Sequence, residues 1–181
     1  MKLTSISDRF FQTFRPLDPE ILEKDDNRPY LIILRLKYKG KRHDFAIPFR
    51  SNIASYIPKE QYFPLPPRPT TRTSRIHGLH YVKMFPIKKP FLEKFHTMGD
   101  PYYITISDII KRNLKEIIGQ AQAYLDRYQA GQSMSMSTNI ELIYNVLNPV
   151  AAVREAAAGS QEMQTNIHAE AVRVQMEKPQ S

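Results

Sequence analysis

Serine, histidine and arginine side chains gather in the sequence around the segment 48–52, Pro-Phe-Arg-Ser-Asn, with His43 shortly before it and His77 and His80 after it. These residue types suit metal-free cleavage of RNA, in which the ribose 2′-hydroxyl is the nucleophile. The protein then has to provide a base, cations for the charge that develops on the phosphate, and an acid for the departing 5′-oxygen. Histidine transfers protons near neutral pH, and arginine stabilises phosphate charge. The alternative interpretation is a basic strand face that only positions RNA, with structural histidines.

Other kinds of chemistry lack the residues that they need. The chain has no cysteine, which excludes a disulfide, a thiolate zinc site and a cysteine nucleophile. His77 and His80 have the spacing of half a metal-ligand set, but no carboxylate cluster accompanies them. Glycine-rich phosphate loops and nucleophile elbows are also missing from the sequence. The sequence therefore predicts that neither a metal ion nor a cofactor takes part.

Positive charge is concentrated in the middle of the chain. The 181 residues carry a formal net charge of +8, yet 15 of the 26 Lys and Arg residues and only 3 of the 18 Asp and Glu residues lie between positions 28 and 94. This segment therefore carries +12 and the remainder −4, which favours a polyanionic partner such as RNA over an anionic membrane surface. The chain has no run of 18 apolar residues and no secretory signal pattern at Met1. We therefore expect a cytoplasmic protein without a membrane partner.

Apolar periodicity predicts short strands and one short helix in the first half of the chain. A strand at 1–6 is followed by helical spacing at 8–14, with Ser7 as the N-cap. Residues 30–38 begin as an apolar run and end in alternation, 39–41 form a hairpin turn, and 43–49 are the return strand, which Pro48 closes. A third strand is predicted at 79–87, whereas 88–98 fit either a short helix or a loop.

Proline and arginine dominate residues 51–76. Five prolines within this segment argue against a helix or a central strand. We therefore predict a long basic loop, and a loop of this length inside a compact domain is usually functional or disordered. Its Arg68, Arg72 and Arg75 are candidate contacts to RNA phosphate. The alternative is an ordered surface loop whose arginines are merely solvated.

Helices are predicted for the second half of the chain. The apolar stripe from Ile109 to Leu125 predicts one long helix over 107–131, capped by Ser107 and ended by Gly131, and a second helix near 138–147. Residues 150–181 are rich in alanine and poor in large apolar side chains, so we expect a peripheral helical or disordered tail there. The sequence thus predicts one domain over 1–149, followed by the tail.

In their order and spacing these segments resemble the toxin component of type III toxin–antitoxin systems, the ToxN and AbiQ group with its TenpN-like and CptN-like relatives. The likeness runs through about the first 150 residues. It comprises the opening 1–7 leading to Phe10, the strand 30–38 with Gly40, the segment 45–51, the strand 78–87 and the long helix that follows.

The resemblance implies an α+β fold in which a compact, twisted antiparallel β-sheet is flanked by helices, as in the Kid and MazF toxins. It also implies a sequence-selective, metal-independent endoribonuclease that acts in abortive phage infection, with attack by the 2′-hydroxyl leaving a 2′,3′-cyclic phosphate. The implied partners are cellular or phage mRNA and a repeat-derived pseudoknot RNA antitoxin. The toxin processes this RNA and closes with it into a protein–RNA ring.

The sequence departs from the family at the active-site segment. The family carries a Thr-Ser pair followed closely by lysine, whereas here Arg50 precedes Ser51 and Ile53 stands at the lysine position. An early tyrosine of the family is Phe10 here. Arg50, Lys41 or Arg42 would then have to supply the positive charge. The catalytic candidates are Ser51, Arg50, His43 and His80, and the RNA-binding candidates are Arg28, Tyr30, Lys41, Arg42, Arg68, Arg72, Arg75 and Lys83.

Two other functions stay open from the sequence alone. One is a non-catalytic RNA-binding module, whose basic strands and loop position phosphate without cleaving it. The other is a type II toxin of the MazF class with a protein antitoxin. Toxicity on expression separates both toxins from the module. An array of short repeats upstream of the gene, in place of an antitoxin gene, separates the type III toxin from the type II toxin.

Overall fold

A computed structural model describes residues 3–22, 31–95, 99–134 and 136–149. The described residues up to 143 form one compact unit, and those from 144 to 149 belong to a second one. Within the described ranges, no helix combines the length and the apolar character that crossing a membrane requires. The predicted tail at 150–181 lies outside the described residues, so the predicted domain boundary at 149 stays a prediction.

Seven strands and four α-helices occur in the described ranges. They are β1 (Leu3–Ile6), α1 (Asp8–Phe14), β2 (Leu31–Tyr38), β3 (Lys41–Ala54), β4 (Tyr62–Leu65), β5 (Arg75–His80), β6 (Phe85–Pro86), β7 (Leu92–Lys94), α2 (Pro101–Arg112), α3 (Leu114–Gln129) and α4 (Ile140–Leu147). Short 3-10 turns lie at Lys59–Gln61, Tyr81–Lys83 and Lys89–Phe91.

The described strands form one antiparallel sheet in the order β4-β5-β3-β2-β1-β7, and β6 also pairs with β3. β3 is 14 residues long and changes its partner midway. Its residues from Lys41 to Pro48 pair with β2, whereas those from Phe49 to Ala54 pair with β5. The predicted α+β fold, with an antiparallel sheet flanked by helices, is confirmed.

The core lies between the sheet and the helices. α3 packs against β2, and its Ile117 and Leu125 are fully buried, as is Leu36 of β2 nearby in the core. Burial of each such side chain stabilises the fold by roughly 1.5–3 kcal/mol. α1 adds an aromatic cluster, in which the ring of Phe10 stacks on that of Phe85 with centroids 4.8 Å apart. Phe10 is therefore a core residue.

The predicted long loop at 51–76 is wrong at both of its ends. Residues 51–54 continue β3, residues 62–65 form β4, and β5 already begins at Arg75. Pro64 is tolerated because β4 is the edge strand of the sheet, where a residue without an N–H group loses no ladder bond. Pro48 lies at the point where β3 leaves β2, so it does not close the strand. The irregular part of this segment is the loop 66–74.

Two further predicted elements, the helix 107–131 and the strand 79–87, differ from the structure. The predicted helix 107–131 is two helices that meet at Asn113, whose side chain donates to the carbonyl of Ile109 at 2.7 Å. A bond of this kind competes with the helical backbone pattern. α2 begins at Pro101, not after Ser107, because the side chain of Asp100 caps it by accepting from Tyr102 N at 2.9 Å. The predicted strand 79–87 is divided by the 3-10 turn Tyr81–Lys83.

Gly78 allows three strands to approach one another closely. It lies opposite Arg50 of β3 on one side and Pro64 of β4 on the other. A Cβ atom at this position would overlap the carbonyl oxygen of Phe63. Only glycine therefore fits between the two neighbouring strands at this register.

We expect Gly78→Ala to lower the free energy of unfolding by about 1–3 kcal/mol, because the added methyl group overpacks against backbone that has no room to move. The matched control is Gly119→Ala in α3, where a Cβ atom meets nothing within 4 Å. That change should raise stability by roughly 0.5–1 kcal/mol through helix propensity. Urea unfolding of both variants checks this, and an equally stable Gly78→Ala protein would contradict the close packing.

Candidate active site

The candidate active site is built on a β-bulge near the end of β3. Arg50 pairs with Gly78 and Ile53 with Ile76, so two residues of β3, Ser51 and Asn52, lie opposite the single residue His77. Such bulges re-aim side chains at functional sites. Asn52 has a φ angle of +67°, a conformation that asparagine tolerates better than most residues. Its side-chain oxygen accepts from the backbone N–H of Arg72 at 2.7 Å. This hydrogen bond holds the loop 66–74 against the bulge.

The bulge places Ser51 against His77. The Ser51 hydroxyl oxygen lies 3.1 Å from Nδ1 of His77. Only 3% of His77 is exposed, and its ring is nearly parallel to that of Phe49, with an interplanar angle of 5°. Because a hydroxyl group both donates and accepts, this contact forms with either tautomer of the imidazole.

A second pair lies beside the first one. The Nη1 atom of Arg50 is 3.3 Å from Nδ1 of His80. A guanidinium group only donates, so Nδ1 has to accept and the ring proton is on Nε2. Burial, together with the charges of Arg50 and Lys83, lowers the pKa of His80 to about 3. His80 is therefore neutral near pH 7, and it orients Arg50 instead of carrying a transferable charge.

The Glu20 carboxylate pairs with a second cation, Lys83, next to Arg50 and His80. The ammonium group of Lys83, which is 4% exposed, donates to the Glu20 carboxylate, whose side chain is 40% exposed. The buried Asp18 holds this segment in place by accepting from Glu20 N at 3.0 Å and from Asn139 N at 2.7 Å. Burial lowers the pKa of Arg50, and the charge of Glu20 opposes this effect. We refer to Arg50, His80, Lys83 and Glu20 as the Arg50 cluster.

The structure does not bring His43 into this site. His43 lies seven residues before Arg50 on the same strand, roughly 23 Å away at about 3.3 Å per residue. Burial, followed by the charge of Lys41, lowers its pKa. Lys41 and Arg42 are exposed beside the β2–β3 turn at that same far end. Of the three cations that the sequence offered as replacements for the family's lysine, Arg50 alone therefore lies beside Ser51.

The other predicted RNA-binding residues are placed in different surroundings. The guanidinium group of Arg68 lies over the rings of Tyr102 and Tyr103, at 5.4 and 5.3 Å from their centroids. Arg72 and Arg75 are exposed, the first in the loop 66–74 and the second at the start of β5. Lys83 is buried in the Arg50 cluster, while Arg28 and Tyr30 lie outside the described residues.

Two residues of the site, His77 and Glu20, were not among the predicted catalytic residues. His77 had a signal, since the sequence places it beyond the segment 48–52 and two residues before a predicted strand. Glu20 had none, because it lies in a proline-flanked turn and reaches the site only through tertiary contacts. In the part of the chain that the structure describes, no three His, Asp or Glu side chains form a metal-binding group.

The pKa of His80 predicts a pH dependence of stability. Since the folded value of about 3 is below the ordinary value of 6.5, the unfolded chain binds an extra proton between these limits. Stability should therefore be complete above pH 6.5 and fall as the pH drops towards 3, by up to about 1.4 kcal/mol per pH unit from this group. His80→Asn keeps an acceptor for Arg50 without the titration. Urea unfolding from pH 4 to 7 should give a smaller slope in the variant, and equal slopes would contradict the neutral His80.

No protein-family model matches the chain, and no curated protein matches its sequence. Solved structures match its fold, among them ToxN and AbiQ. ToxN, from a bacterial antiviral system that a processed non-coding RNA regulates, has a TM-score of 0.64 and 16% identity over 80% of this chain and 96% of its own. AbiQ, a lactococcal anti-phage endoribonuclease of the type III toxin–antitoxin system, has a TM-score of 0.59 and 12% identity over 83% of this chain and 98% of its own. The chain therefore has the fold of ToxN and AbiQ, as its sequence motifs predicted.

Proposed function

We propose that this chain is a sequence-selective, metal-independent endoribonuclease toxin of a type III toxin–antitoxin system. The observation that carries the proposal is the pair of contacts at the bulge, Ser51 on His77 and Arg50 on His80, next to the carboxylate of Glu20. These side chains provide a hydroxyl donor, a cation and a proton acceptor at one place. Metal-free cleavage of RNA requires such a combination.

Each member of the group has a distinct role in the proposed reaction. Arg50 binds the non-bridging oxygens of the scissile phosphate and stabilises the charge that develops on them. Ser51 donates its hydroxyl proton to the same phosphate. When it does so, Nδ1 of His77 carries a proton and donates to the serine oxygen, which fixes the direction of the hydroxyl group.

Glu20 is the proposed general base. His77 and His80 are each 3% exposed, so they lie behind Ser51 and Arg50 and do not reach the 2′-hydroxyl group of a bound RNA. The side chain of Glu20 is 40% exposed and interacts with both cations of the cluster. It can therefore accept the 2′-hydroxyl proton. The 2′-oxygen then attacks the phosphorus atom, the bond from phosphorus to the 5′-oxygen breaks, and the departing 5′-oxygen takes a proton from water, which leaves a 2′,3′-cyclic phosphate.

The buried charges favour an enzyme over a non-catalytic RNA-binding module. Burying a guanidinium or ammonium group costs several kcal/mol unless it is paired. A module that only positions phosphate gains nothing from such burial, because exposed cations bind phosphate without this cost. Lys83 is 4% exposed, and the pKa of Arg50 is lowered mainly by burial. Preorganised charge in a dry site is instead what stabilises a transition state.

The exposed cations suit a structured RNA as inhibitor. Lys41 and Arg42 lie at one end of β3, and Arg75 lies opposite Ala54 at the other end, about 40 Å away along a 14-residue strand. A single cleavage site does not need cations over this distance. We therefore propose a pseudoknot RNA antitoxin that the toxin processes and binds in a protein–RNA ring, in the cytoplasm, with cellular or phage mRNA as target in abortive infection.

Ser51→Ala should reduce RNA cleavage by about 10²-fold or more while leaving RNA affinity within a few-fold, because it removes one donor to the transition state. The measurement is incubation of total RNA with purified protein in excess EDTA, followed by analysis of fragment ends for 2′,3′-cyclic phosphate. Ser55→Ala, in the exposed turn just after β3, is the matched control and should cut like the wild type. Cleavage that EDTA abolishes, or that Ser51→Ala retains in full, would refute the proposed mechanism.

Glu20→Gln should lower kcat by about 10²- to 10⁴-fold, the usual contribution of a general base, with RNA bound as tightly as before or more tightly. Because the change removes the carboxylate that pairs with Lys83, the double variant Glu20→Gln/Lys83→Met is compared with it in thermal unfolding and in single-turnover cleavage. Restored stability without restored cleavage identifies a chemical role. Recovery of cleavage together with stability would assign Glu20 a structural role only.

A further inference from the structure

A cleft beside Ser51 takes no part in the proposed cleavage step. It lies between the loop 66–74, the start of α2 and the adjoining ends of β3 and β5. Its space of about 180 Å³ includes open solvent, and the centre of a water molecule can occupy about 10 Å³ of it. Its lining is formed by Phe49, Arg68, His77, Tyr102, Tyr103 and Ile106.

The position of the cleft relates it to the scissile phosphate. His77 forms part of its wall, and Nδ1 of the same ring is 3.1 Å from the Ser51 hydroxyl. One imidazole ring therefore separates the cleft from the proposed phosphate site. In RNA a base is joined to its own phosphate through a single ribose, so a phosphate held at Ser51 brings a neighbouring base to the cleft.

The lining consists of groups on which bases stack. The ring of Tyr102 lies 6.2 Å from that of His77 and 5.6 Å from that of Tyr103. The Tyr102 hydroxyl donates to the carbonyl of Pro66 at 2.9 Å, which fixes the ring against the loop. The guanidinium group of Arg68 covers both tyrosine rings. Aromatic faces and guanidinium planes are the surfaces that hold unstacked RNA bases.

We propose that this cleft binds one unstacked RNA base next to the cleaved phosphate and thereby sets the sequence preference of cleavage, an inference that rests on the proposed function. The space left among the lining side chains is only about 10 Å³, room for a single water molecule, so an entering base takes the position of the Arg68 guanidinium group over the tyrosine rings. Arg68 then covers the entering base from the side of the loop. Its N–H groups can donate to acceptor atoms on the edge of the base, as in arginine contacts to guanine.

The test uses a 2′-O-methyl RNA hexanucleotide, which cannot be cleaved, and its six versions with one abasic position each. In the wild type, loss of the base at one position should weaken binding by about 5- to 150-fold, the usual effect of removing a base–aromatic stack. In Tyr102→Ala the same abasic position should cost less than twofold, because the stacking partner is already missing. Tyr102→Phe keeps the ring and should keep the wild-type profile.

Arg68→Ala and Arg72→Ala form a matched pair from one loop. Arg68→Ala should flatten the abasic profile, whereas Arg72→Ala, whose side chain lies outside the cleft, should weaken all seven RNAs by a similar factor. Because Arg68→Ala changes only a loop side chain, it serves as the test if Tyr102→Ala proves unstable. Wild-type abasic profiles in both Tyr102→Ala and Arg68→Ala would overturn the proposal. If cleavage in EDTA still depended on Ser51, that result would leave the proposed function intact, whereas failure of every hexanucleotide to bind would overturn both.

Discussion

The pairing of β3 with β2 along one half and with β5 along the other is the constraint on which the site depends. Where one strand is shared by two neighbours that diverge, its hydrogen bonds have to change direction, and here the change falls between Pro48 and the bulge at Ser51 and Asn52. Proline has no N–H group to leave unpaired, and asparagine tolerates the positive φ angle that the bulge requires. Pro48 and Asn52, which suit this backbone geometry, therefore flank Arg50 and Ser51, which carry the proposed chemistry.

Burial of charge is the second feature that links fold and function. His80 and Lys83 are buried beside Arg50, which is itself partly exposed. The fold accommodates them by keeping His80 neutral and by pairing Lys83 with Glu20, which Asp18 in turn holds in place. This arrangement costs stability compared with an apolar core. It gains an electrostatic environment that is already oriented before a phosphate arrives, because the groups are held by packing and by hydrogen bonds.

The differences between this sequence and the ToxN and AbiQ group are located where the fold can absorb them. Ile53, at the position where the resemblance implies a lysine, is 1% exposed and belongs to the core, so this position gives the site no cation. Arg50 precedes Ser51, and its side chain reaches His80. The positive charge beside the serine therefore comes from Arg50 and not from a lysine at position 53. Phe10, at the position of a tyrosine, is fully buried in an aromatic cluster. Low sequence identity is therefore compatible with the shared fold, because packing needs apolar volume and not particular residues.

The amino-acid sequence by itself determined the local elements and the type of partner that the chain suits. Apolar periodicity located β1, β2 and α1, the concentration of basic residues predicted an anionic partner, and the segment 48–52 was predicted to be the centre of the candidate site. Only the tertiary structure decided which side chains meet there. His77 contacts Ser51 and Glu20 interacts with Arg50 although both come from distant parts of the chain, and Tyr102 lies near His77. His43 is closer in sequence, but the extended β3 places it far from Arg50. The physical reason is that a strand separates neighbours in sequence by about 3.3 Å per residue, while hydrogen bonds between strands and packing of loops bring distant residues into contact.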